Sequence, residues 1–248
     1  MTGQFVKIFL FIFSVSMGIS SQCRADLDSG DIKYKSFNDS SAYLFYSRAL
    51  KTCPDYESLM KTTRSLIDIG EDKGKKKGDP YFSQALSLTD SLQKKYPDSL
   101  QSWFLKAAAA GNLAVSKGGK EKVELAKTIE TNAKKAIAID STYAPAHVIL
   151  GVYYRQVATI SKLTKSFAKA FYGKSLEGTL TDSERELKKA ISLDNKNIFA
   201  YYQLAQTYRF MHRPKEAREL LNTALTIPNN DNQSEAIKKS AQTQLKTM

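Results

Sequence analysis

The sequence predicts an all-α fold, a helical-repeat solenoid of antiparallel helix pairs with a C-terminal capping helix. Three observations predict it. The first is a set of markers between Ile198 and Asn229. Counting Ile198 as position 1 of a 34-residue unit puts Tyr201 at 4, Leu204 at 7, Ala205 at 8 and Tyr208 at 11. Ala217, Leu221 and Ala224 follow at 20, 24 and 27, and Pro228–Asn229 closes the unit. Small residues at 8, 20 and 27 let two helices approach closely, while larger ones fill the gaps between turns. The second observation is recurrence: Ala42, Tyr46, Ala49 and Pro54 repeat positions 20, 24, 27 and 32, as do Ala85, Thr89, Leu92 and Pro97. The third is composition, since 42% hydrophobic residues with only 12 Gly and 6 Pro in 248 residues suit one well-cored domain rather than a disordered chain.

The spacing is that of the tetratricopeptide unit, and the elements follow in order over a repeat domain at 40–246. Helix 2 of an incomplete opening unit covers SSAYLFYSRALKTCP, with Ser40 or Ser41 as its N-cap. Asp55–Gly70 is the next helix, with an apolar stripe from Tyr56 to Ile69. Glu71–Asp79 (EDKGKKKGD) reads as a solvated, mobile loop, and Pro80 suits the first turn of the helix after it. Ser99–Ser116 places Trp103 at position 4; KGGK is a turn; Glu121–Asp140 is its partner helix. Tyr143–Ala158 puts Leu150, Gly151 and Tyr154 at 7, 8 and 11, with His147 at position 4 as a packed or capping residue. Asp182–Leu193 resumes the repeat, and Ser234–Lys246 is the helix that seals the end.

Between Ser141 and Asn195 the unit is about 20 residues longer than the template. The extra segment at 160–180 carries Lys165, Phe167, Lys169 and Phe171 on a short basic amphipathic helix. Two readings stand: a lid over one end of a groove, or a contact with a membrane surface.

Residues 1–25 read as a signal peptide: Lys7 gives the positive start, Ile8–Val15 with Met17–Ile19 the apolar run, and Cys23-Arg24-Ala25 the small-x-small cleavage pattern. An uncleaved anchor and a lipoprotein acylated at Cys23 are the alternatives. Residues 26–39 then form a flexible leader, and Cys53, alone after cleavage, is a half-buried thiol. The net charge of +12 favours anionic partners without choosing among them. Lysines spread over all segments, together with the export signal, oppose nucleic acid as a partner.

The irregular spacings carry a family resemblance. NLAVSKGGKEKVELAKTIETNAKKAIAID, and HVILGVYYRQVA running into SKLTKSFAKAFYG, resemble the regulator of microtubule dynamics family over roughly residues 40–245. That resemblance implies an all-α repeat fold and a non-enzymatic role in binding or tethering. The family's turn prolines are missing from KSLEGTL. The signal peptide points to an exported bacterial homologue that would not meet tubulin.

No catalytic motif is found: GGK at Gly118–Lys120 lacks the strand and spacing of a phosphate loop, and neither HExxH nor GxSxG occurs. No cofactor or metal is expected. The expected site is the concave groove, onto which template positions 2, 5, 9 and 12 point. These positions give Gln101 and Phe104, then Val148, Val152 and Arg155, then Phe199, Tyr202, Gln206 and Arg209. The expected occupant is a protein or peptide segment. The alternative is an anionic lipid or amphiphile whose head meets Arg155 and Arg209.

Overall fold

The computed structural model describes residues 21–161, 165–166, 169–170, 176–229 and 233–248, and only the backbone of Lys75. The helices in chain order are α1 (21–35), α2 (Asp39–Thr52), α3 (Tyr56–Lys73), α4 (Lys75–Lys95), α5 (Leu100–Ala114) and α6 (Gly119–Ile139). They continue as α7 (Ala144–Thr159), α8 (Leu180–Leu193), α9 (Ile198–Phe210), α10 (Pro214–Thr226) and α11 (Ser234–Lys246). Each helix packs on its successor, and α3, α5, α7, α9 and α11 also touch one another along the stack. In a curved double layer the helices that meet across units are the crowded ones, so the odd-numbered helices form the inner face. The superhelix curls far enough that Gln233, before α11, donates to Asp72 near the end of α3 at 3.3 Å.

The marker alanines explain the pairing. Ala42, Ala49, Ala85, Ala107, Ala136, Ala190, Ala205, Ala217 and Ala224 are all fully buried, with no room for a larger side chain. One core runs from α3 to α7 around Leu66, Leu92 and Leu105; a second runs from α7 to α11 around Leu187, Leu204 and Leu221. Gly151 at position 8 lies against Leu187 at position 24, where an added Cβ would sit 2.6 Å from the leucine Cγ.

Residues 26–39 are not a flexible leader. Residues 21–35 are helical, and α1 is the missing first helix of the opening unit. Its Gly30 abuts the Tyr46 ring, and Leu27 and Cys23 bury themselves with Ala42, Tyr46 and Ala49. Cys53 is not a solitary thiol either, because it forms a disulfide with Cys23 across a Cα–Cα distance of 6.2 Å. The cap of α2 is Asn38, whose side chain accepts from the Ser41 amide, rather than Ser40 or Ser41.

Glu71–Asp79 is not a loop. Helix runs up to Lys73 and restarts at Lys75, so the break is Gly74 alone, at φ +68°. Its amide returns to the Gly70 and Glu71 carbonyls, closing α3, and its carbonyl starts α4 by accepting from Gly78. Gly78 packs against the Gly70 carbonyl and the Phe82 ring, and Gly70 against the same ring, so both serve helix contact. Pro80 consequently lies inside α4, not in its first turn. Among the described residues no helix is long and apolar enough to cross a membrane.

Candidate functional site on the inner face

The capping box between Asp55 and Ser58 fixes where α3 begins. With Tyr56 as position 1, Arg64 falls at position 9, facing the inner surface. On one side of it the polar groups are fully paired. Asp31 on α1 receives Lys61 at 2.7 Å through both oxygens and the Tyr46 hydroxyl at 2.7 Å, and Lys61 also reaches Glu57 at 2.7 Å. Burial pushes the Asp31 carboxyl up, but the Lys61 and Tyr46 hydrogen bonds outweigh it and hold the group below its ordinary value.

Around Arg64 the pairing stops. The half-buried Arg64 guanidinium makes no hydrogen bond or ion pair among the described residues. Asp68, one turn on, has its Oδ2 shielded from solvent without a partner. Burial, then the charges of Glu71 and Asp39, push the Asp68 carboxyl well above its ordinary value, while Arg64 and a hydrogen bond with Tyr34 oppose them. On α5 the Gln101 amide nitrogen donates to the Tyr143 hydroxyl at 3.2 Å, yet its Oε1 is buried with no partner. Phe104 stands edge-on to Tyr143 with ring centroids 5.0 Å apart. The Arg64 charge acts on the Tyr143 hydroxyl that Gln101 meets, so donor, the Gln101 acceptor and aromatic surface share one stretch, while Asp68 lies on the α1 side of Arg64, towards Tyr34 and Asp39.

The nine residues expected to line the groove divide three ways. Gln101, Phe104, Val152, Tyr202 and Gln206 are half-buried between inner helices. Tyr202 and Gln206 are already engaged, since Gln244 of α11 donates to the Tyr202 hydroxyl at 2.7 Å and accepts from Gln206 at 2.6 Å. Phe199 and Arg209 are exposed.

Val148 and Arg155 are corrections, because both are buried between α7 and α9 rather than presented to a ligand. Arg155 donates to the Gln203 carbonyl at 2.7 Å and to the Gln203 side chain, so it ties two inner helices together. Burial lowers its pKa to about 10, so it remains a cation at neutral pH. Arg209 occupies the same template position, but among the described residues it donates to Gln206 alone, at 3.3 Å. The two do not form one head-group site.

His147 is packed, not free. Its Nδ1 meets Glu186 Oε2 at 2.8 Å and its Nε2 meets the Ser141 carbonyl at 3.0 Å. Two acceptors on two ring nitrogens fit the imidazolium, and the Glu186 hydrogen bond raises the His147 pKa. Of the insert residues, Lys165 and Lys169 are helical, half-buried and exposed respectively. Phe167 and Phe171 lie outside the described residues. Among the described residues no cluster of three or more His, Cys, Asp or Glu is arranged to hold a metal. Arg64, Asp68 and Tyr34 were not expected at the site; the Asp55–Ser58 capping pair was the sequence signal for counting positions along α3.

The architecture matches known tetratricopeptide structures. A thermophilic tetratricopeptide protein of Thermus thermophilus superposes with a TM-score of 0.65 over 89% of this chain and 99% of that one, at 22% identity, which speaks to fold alone. Regulator of microtubule dynamics protein 3 of Rattus norvegicus is 26% identical over 184 residues, and that of Mus musculus 24% over 184. In both cases 73% of this chain is covered but only 38% of the mammalian protein. Residues 26–248, from the middle of α1 through the capping helix, match the family described as regulator of microtubule dynamics protein 1-3. That match covers nearly the whole chain, and the protein belongs to the regulator of microtubule dynamics family.

Proposed function

We propose that this chain is an exported, non-catalytic scaffold that holds an extended segment of a protein partner along its inner face, from Arg64 past Gln101 and Phe104 towards Phe199. The observation that carries the reading is a set on α3 and α5 that finds no hydrogen-bond partner among the described residues: the Arg64 guanidinium, Asp68 Oδ2 and Gln101 Oε1. Buried polar groups left without partners cost about 1–3 kcal/mol each. A peptide backbone carries both N–H and C=O groups in register, so it can satisfy acceptors and donor together. A lipid tail offers neither, and the amphiphile alternative has lost the arginine pair on which its head-group contact depended. The disulfide supports the export reading, since such bonds persist mainly in oxidising compartments. Microtubules appear in the mammalian relatives' name; an exported chain would not meet them.

The test is peptide selection against the purified protein, followed by calorimetry on variants. Arg64→Ala and Gln101→Ala should each weaken a selected peptide about 10-fold or more, equivalent to about 1.4 kcal/mol. Lys94→Ala, on the outer helix α4, should leave it unchanged. Peptides that bind equally well to the inner-face variants, or that lose affinity only with Lys94, defeat the proposal.

A further inference from the structure

We propose that the chain is processed after Ser20, not after Ala25, so that the exported protein begins at Ser21 with the Cys23–Cys53 disulfide intact. The inference rests on the export reading above and deepens it.

Cutting after Ala25 would dismantle the first unit. It would remove Cys23, which is 5% exposed and bonded to Cys53. With it would go Arg24, which bridges Asp28 at 3.0 Å and Glu57 at 3.4 Å. The new ammonium terminus would fall on Asp26, a residue 4% exposed whose carboxylate already pairs with Arg48 at 2.9 Å, next to Leu27 at 2%.

The sequence holds another small-x-small triplet just upstream. Gly18-Ile19-Ser20 has small residues at both required positions and closes the apolar run that Lys7 introduces. Cleavage there hydrolyses the Ser20–Ser21 bond, leaving a carboxylate on Ser20 and an ammonium on Ser21. Every described residue of α1 is kept. The Cys23 and Cys53 thiols then pass two hydrogens to a disulfide oxidant of the compartment, which leaves as its dithiol. A Cys23 sulfur held in that bond is unavailable for acylation, so the lipoprotein alternative and the staple exclude each other.

The experiment expresses the full chain in a bacterial host, fractionates the cells and alkylates thiols under denaturing conditions without reductant. Amino-terminal sequencing and intact mass are then read on each fraction. The expected product lies in the exported fraction, begins at Ser21, carries no alkyl label and is two hydrogens lighter than its reduced form. Ser20→Leu should block processing, while Ala25→Leu, at an exposed position of α1, should not. An exported product starting at Asp26 or any other residue overturns the assignment, as do a lipid on Cys23, labelled thiols in that fraction, or blockage by Ala25→Leu alone. An unprocessed, fully labelled chain confined to the cytosol overturns the export reading itself, and is distinct from all of these.

Discussion

Reducing the Cys23–Cys53 bond should loosen the first helix pair and little else. The two cysteines are 30 residues apart, and in the chain-entropy model a closed loop of that length stabilises by about 3–4 kcal/mol at 25 °C. In a repeat array each unit contacts only its neighbours, so the effect should stay local. Expressed as local opening, about 3–4 kcal/mol corresponds to a loss of roughly several-hundred-fold in amide protection. The assay is hydrogen exchange on residues 21–248, oxidised against the Cys23→Ser/Cys53→Ser double variant. Amides of α1 and the first turns of α2 should lose protection on that scale, while those of α9 and α10, at the far end, should not change. Unaltered exchange in α1, or a uniform loss across all helices, would refute the view that α1 is a stapled member of the solenoid.

Three further outcomes follow from packing and charge. Gly151→Val places side-chain carbon against Leu187 and the Ser183 carbonyl, where even a Cβ would sit at 2.6 and 3.3 Å; urea denaturation should show a loss of about 1–3 kcal/mol, and an unchanged midpoint would show that α7 and α8 are farther apart than described. Arg155→Ala removes the donor to the Gln203 side chain and one of the donors to its carbonyl, which keeps the Thr207 hydroxyl at 3.1 Å; it should cost about 1–3 kcal/mol without weakening the inner-face peptide if that peptide runs along α3 and α5, whereas a binding loss at unchanged stability would restore Arg155 as a ligand contact. His147 has its pKa raised in the fold, so its contribution is complete below the ordinary value of 6.5 and is lost as pH rises through the raised one. Wild-type stability should therefore fall across that interval; His147→Gln should flatten the fall and cost about 1.5–3 kcal/mol at pH 6, and an identical slope in the variant would contradict the imidazolium.

The repeat was legible because its markers are packing residues. Ala205, Ala217 and Ala224 are small for one reason, close helix approach, and that reason survives in any unit. What escaped was set by context. Residues 21–35 were hidden behind the apolar leader, and DLDSGD looks like a polar leader although Asp26 and Asp31 pair with Arg48 and Lys61 across the first helix contacts. The EDKGKKKGD stretch has loop composition, yet its Gly78 is spent with Gly70 on a helix crossing, and only the bend at Gly74 needs glycine's backbone freedom. Template position alone did not separate Arg155 from Arg209. The first is covered by Gln203 and Thr207 of the next inner helix, whereas the second lies at the last full pair, where α11 covers Tyr202 and Gln206 but leaves it exposed. The polar groups at Arg64, Asp68 and Gln101 become visible only when α1, α3 and α5 stand side by side.

The central claim, a protein segment held on the inner face, is tested most directly by a photo-reactive amino acid installed in the native host. Phe199, 41% exposed at the start of inner helix α9, and Ile139, 38% exposed at the end of outer helix α6, provide matched positions. The account predicts a discrete protein adduct from Phe199, abolished by Arg64→Ala in the same chain, and none from Ile139. Equal adducts from both positions, or lipid adducts alone from Phe199, would contradict it.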